Sequence, residues 1–244
     1  MLEDENEDLA ERRLRTQKIS IAKLKRAKRW TRFIKWIPYI RGIFVTGTLA
    51  MKKSNRESDW DILVVTKRKR IWIARLLLTF FLHIFGKRRH GKHLKDRFCL
   101  NHYITDQGLV FEERNEFAAN EIVFSIALFG KKIHHKFVSL NEHWIQFFKP
   151  NFDRSKLPVV FEEERSGILT IIQKSLETIL EITQIAKIIN AWSKKMMIKK
   201  INNNPKTYFK SADIRYGDMS LVFLPKPQRE EIFQRAKKKL EKLK

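Results

Sequence analysis

The chain has 244 residues, 43% hydrophobic and 32% charged, with 51 Lys and Arg against 27 Asp and Glu. That apolar content excludes a natively disordered chain, and a single cysteine, Cys99, excludes a disulfide-stapled secreted domain. The formal net charge of +24 predicts an anionic partner: nucleic acid, nucleotide phosphates or a lipid surface.

Six acids crowd the first eleven residues, so the N-terminus lacks the basic and then apolar pattern of a secretory signal. A reducing, cytoplasmic setting is the expectation. Residues 5–37 predict one amphipathic helix. Its stripe runs through Ile21, Leu24, Ala27, Thr31, Ile34 and Ile37, and bases cover its other faces. Pro38 ends it. Residues 42–47 and 60–66 predict strands, the second apolar enough to be covered on both faces. Residues 69–86 predict an apolar helix stopped by Gly86. It carries Arg75 and His83 and is too short to span a bilayer. Residues 97–105 predict a third strand.

Beyond the turn at 106–108 the pattern predicts helices over 116–129 and 133–148, broken at Gly130. A proline-bearing linker follows at 149–158, then a long helix over 161–201. Residues 206–224 are ambiguous, and 226–243 predict a basic terminal helix. The division expected is a basic N-terminal helix (1–38), a core (39–115), a helical extension (116–150) and a helical basic C-terminal region (151–244).

The chemistry is concentrated in VTGTLAMKKSNRESDWDILVV, residues 45–65. A strand ends in Gly47-Thr48, a polar spacer follows, and Ser58 precedes Asp59-Trp60-Asp61 and an apolar run. Aspartates at i and i+2 of a strand share a face, so their carboxylates can hold one hard divalent cation. Gly47 permits close backbone approach by a phosphate, with the Thr48 hydroxyl as a further donor. The structural alternative is that Asp59 caps a loop while Asp61 pairs with a base.

This stretch resembles the polymerase β-type nucleotidyltransferase superfamily. Its signature is a strand ending in Gly-Ser, here Gly47-Thr48, a spacer of about ten residues, and Asp-x-Asp within apolar residues. The resemblance covers roughly residues 40–105. The wider layout is similar to bacterial nucleotidyltransferase-domain proteins with a basic N-terminal helix before a proline, an apolar helix ending in Gly-Lys-Arg-Arg and a Cys-Leu-Asn strand. It implies an α/β (α+β) fold, a small mixed-sheet core followed by an all-helical C-terminal region. It further implies that Gly47, Thr48 and Ser58 bind the NTP, that Asp59 and Asp61 are catalytic and bind Mg²⁺, with Mn²⁺ as a substitute, and that a nucleoside monophosphate passes to a hydroxyl acceptor. The charge points to RNA as that acceptor.

The superfamily adds a third carboxylate on a later strand, where this chain offers Asn101. Asp96 precedes that strand and Asp106 follows it. Asparagine cannot serve as a base, so a catalytically degenerate nucleotide- or RNA-binding module is the alternative. Lys67–Arg70 and Lys87–Arg89 can reach phosphate or merely solvate helix ends. Trp30, Phe33, Trp36 and Trp72 are interleaved with bases but have core spacing. His90, His93, His134 and His135 read as surface residues, and Cys99 as buried and inert.

Overall fold

Strand β1 (Ile40–Val45) leads through the short helix α2 (Gly47–Ala50) to β2 (Trp60–Thr66), its antiparallel neighbour. In the computed structural model the residues described are 2–157, 167–209 and 212–224. The helix α1 (Leu2–Ile34) precedes β1. After β2 come α3 (Ile71–Ile84), β3 (Phe98–Thr105), α4 (Glu116–Val123), β4 (Ile126–Phe129) and α5 (Lys131–Phe148). Helices α6 (Ile168–Ile182) and α7 (Ile185–Asn202) and strands β5 (Asp213–Tyr216) and β6 (Ser220–Leu224) follow. The six strands form one mixed sheet in the order β4-β1-β2-β3-β6-β5, in which only β2 and β3 run parallel. The α+β class expected from sequence holds.

β2 is apolar because both its faces are covered. Trp60, Ile62 and Val64 join the core beneath α1 and α3, which includes Leu24, Ala27, Ile34, Trp72 and Leu78. Leu63 and Val65 join the opposite core with Ala118, Ile122, Phe137 and Ile145 of α4 and α5. The predicted stripe of α1 is buried at Leu24, Ala27, Thr31 and Ile34, whereas Ile21 lies 38% exposed. Ser20 and Lys23 take the buried positions at that end.

Three expectations are corrected. The helix predicted over 116–129 ends at Val123, and Ile126–Phe129 pairs with β1 as a fully buried strand. An open sheet edge and four apolar residues override helical spacing there. Gly130 separates β4 from α5 at φ +82, where a Cβ would lie 2.5 Å from the Arg41 carbonyl. The long C-terminal helix is two helices, because Gln184 adopts φ +59. The C-terminal region is not all helical: β6 pairs with β3, and β5 completes the edge. Leu221 and Val222 are buried by that pairing, which their short apolar run did not announce. The basic helix expected over 226–243 and the start of the 161–201 helix lie outside the described residues.

Candidate metal and nucleotide site

The loop between α2 and β2 is held from outside the sheet. Lys23 of α1 is fully buried, and its Nζ donates to the Ser58 carbonyl at 2.6 Å and to Asp96 Oδ1 at 3.1 Å. Arg26 binds the other oxygen of Asp96. The Ser54 N–H donates to Ser20 Oγ at 3.0 Å. One face of α1 thus fixes the residues that enter β2. These bases serve structure, and Asp96 is committed to them.

Asp59 directly precedes β2 and Asp61 lies within it. With Cys99 they form a cluster whose ligand atoms all lie within 4.8 Å of one another. Cys99 enters because β2 and β3 pair in parallel with Asp61 opposite Cys99. The next registered pair is Leu63 with His102, so β3 holds one residue more than β2 in between. Leu100 and Asn101 lie between these pairs opposite Ile62 alone, and the register shifts there. The residue registered with Asp61 is thus Cys99, whereas the resemblance pointed to Asn101. Asp106 serves elsewhere, accepting the Arg68 N–H at 2.9 Å.

Burial, and then the Asp59 charge, push the Asp61 carboxyl up from 3.8 to about 6. Burial, followed by the nearby Asp61 charge, raises the Cys99 thiol far above its ordinary range, so it stays protonated. Arg89 completes the constellation: its Nη1 donates to Asp59 Oδ2 at 2.6 Å and to Cys99 Sγ at 3.1 Å. Its sequence signal was only membership in a basic cluster.

Gly47 closes the site. It has φ +64, and a Cβ there would lie 2.9 Å from Asp61 Oδ2. The Thr46 N–H donates to the Asp61 carbonyl at 3.0 Å, tying the end of β1 to the start of β2. Thr48 is exposed at the start of α2. Ser58 is turned elsewhere, its hydroxyl donating to the Asn55 carbonyl at 3.0 Å. The structure therefore brings together Gly47, Asp59 and Asp61, leaves Thr48 exposed beside Gly47, and gives Ser58 a part in the loop.

Other candidates resolve by burial and pairing. At the start of α3, Lys67 and Arg70 both bind Glu181, Lys67 at 3.0 Å. Trp72 is buried and donates to Asp218 Oδ1 at 2.9 Å. Trp30 packs against Phe33 and Phe85, with Lys87 Nζ 5.4 Å from its ring centre. His134 is not a surface residue: it is fully buried against Phe44, with Nε2 2.8 Å from Ser125 Oγ. A cavity of about 210 Å³ lies beside β3 and β6, lined by His102, Phe111, Glu113 and Arg215 among others.

Among the described residues no helix is long and apolar enough to cross a membrane. Comparison with protein-family models, curated proteins and solved structures gives no match for this chain.

Proposed function

We propose that the chain is a Mg²⁺-dependent nucleotidyltransferase that moves a nucleoside monophosphate from an NTP to a hydroxyl acceptor. The observation that carries this reading is the convergence of Asp59 and Asp61 beneath a glycine that leaves no room for a side chain. It agrees with the resemblance of residues 45–65 to the polymerase β-type superfamily.

Two carboxylates fit a hard divalent cation, whereas a protonated thiol suits Mg²⁺ poorly. Asp59 and Asp61 would hold Mg²⁺ or Mn²⁺, which, when bound, supplies positive charge to the triphosphate. The chain's own contribution is binding and alignment. Gly47 makes room for the Asp61 carboxylate against the backbone, and the exposed Thr48 offers a hydroxyl to phosphate. The acceptor oxygen attacks the α-phosphorus, the bond to the bridging oxygen breaks, and pyrophosphate leaves. Protonated Cys99 cannot take the acceptor's proton, so water or a carboxylate must. General-base help is worth about 10²–10⁴-fold, and turnover is expected to be slow by a factor of that order. RNA as acceptor is supported by the net charge of +24.

A second reading, a non-catalytic nucleotide- or RNA-binding module, is favoured by Cys99 at the third position and by the guanidinium of Arg89 on Asp59. Calorimetric titration of NTP with and without Mg²⁺ separates the two. Mg²⁺-dependent binding that Asp59→Ala/Asp61→Ala abolishes supports the transferase. Binding that survives both the double substitution and chelation supports the module.

A further inference from the structure

Helix α6 is inverted. Gln173 and Glu177 face the protein and are 5% and 8% exposed, while Ile171, Ile179 and Ile182 face outward at 64%, 57% and 76%. Gln173, Glu177 and Glu181 are each engaged on that side. Gln173 donates to the Ile37 carbonyl at 3.1 Å. Glu177 accepts the Tyr39 N–H at 2.7 Å and binds Arg41, and Glu181 binds Lys67 and Arg70. On α7, Ile188 and Trp192 are likewise exposed, at 65% and 57%. Large apolar side chains exposed in this number on two successive helices mark a contact surface.

Charge identifies the occupant. Residues 167–202 hold two acids, Glu177 and Glu181, and both are neutralised on the inner side. Lys174, Lys187, Lys195, Lys199 and Lys200 are exposed on the same two helices. Two copies meeting across a two-fold axis would bring these lysines together, whereas an anionic lipid surface complements them. Exposed isoleucines and a tryptophan together with exposed lysines are the composition of a helix lying in a bilayer interface.

We propose that the outer face of α6 and α7 docks in the plane of an anionic membrane surface, with Ile171, Ile179, Ile182, Ile188 and Trp192 entering the headgroup region and the lysines binding lipid phosphates. The surface does not include the Asp59–Asp61 site, and the proposal stands apart from nucleotidyl transfer. The geometry is peripheral: α6 has 15 residues, about 22 Å of helix, and its Gln173, Glu177 and Glu181 bind the protein.

The test is flotation of the full chain with vesicles of phosphatidylcholine alone or mixed with phosphatidylglycerol. The wild type is expected to float with the anionic vesicles, less so as salt rises. Ile171→Gln/Ile182→Gln keeps the charge and changes only exposed positions; it should cut partitioning about tenfold or more. Lys187→Glu/Lys195→Glu should cut it on anionic vesicles alone. Absence of flotation overturns the proposal, as does flotation that the isoleucine pair leaves unchanged. A concentration-dependent dimer that the isoleucine pair dissolves, without vesicle binding, gives the face to a second copy and overturns it equally.

Discussion

Gly47 and Asp61 meet so closely that a Cβ on the glycine would lie 2.9 Å from the carboxylate Oδ2. The backbone at Gly47 has φ +64, which a side chain disfavours by about 1–2 kcal/mol. Gly47→Ala should lower unfolding free energy by about that amount and displace Asp61. Denaturant unfolding reads the first effect, and Mg²⁺-dependent NTP binding the second. A variant that binds as tightly as wild type would separate the glycine from the site.

Lys23 couples α1 to the same site. Its ammonium is buried against the Ser58 carbonyl and Asp96. Lys23→Met removes a buried charge and leaves those acceptors short of a donor, at a cost of about 3 kcal/mol or more. Hydrogen exchange should show lost protection across residues 51–59. Unchanged exchange there would mean that α1 does not hold the loop.

Asp61 is stabilised in its protonated form. Its folded value, about 6, is above the ordinary 3.8, so the folded chain binds more protons between those limits and loses stability as pH rises through them. Asp61→Asn should therefore raise Tm at pH 8 and have little effect at pH 4. Mg²⁺ should raise the Tm of the wild type at pH 8 more than at pH 5, and that of Asp61→Asn at neither. Thermal scans at the three pH values decide this.

His134 has the opposite sign. Burial, with a smaller contribution from His135, lowers its value from 6.5 to about 4. The unfolded chain then binds more protons in that window, so stability is full above about 6.5 and is lost as pH falls toward 4. The full span corresponds to about 3 kcal/mol. His134→Gln should flatten the curve of unfolding free energy against pH over this window. An unchanged slope would assign the acid sensitivity to other groups.

How much of this was legible in the sequence depended on how local each feature is. β2 and the Asp59-Trp60-Asp61 pattern were readable because apolar continuity and residue spacing sit within one segment. β4 and β6 were not, since Ile126–Phe129 and Ser220–Leu224 become strands by pairing with β1 and β3. Which residue of β3 stands beside Asp61 is not a local property either. Cys99 and Asn101 lie two residues apart on β3, and only the register and its shift decide that Cys99 stands beside Asp61. Arg89 reached Asp59 through tertiary structure, with no spacing rule to announce it.

Nucleotidyl transfer at Asp59 and Asp61 is tested by transfer of label from each α-³²P NTP with Mg²⁺ or Mn²⁺. Total tRNA, total protein and the chain itself serve as acceptors. Incorporation by the wild type that Asp59→Ala/Asp61→Ala abolishes is the predicted result. No incorporation into any acceptor with either metal, from a chain that is folded and binds NTP, would contradict the claim and leave a binding module.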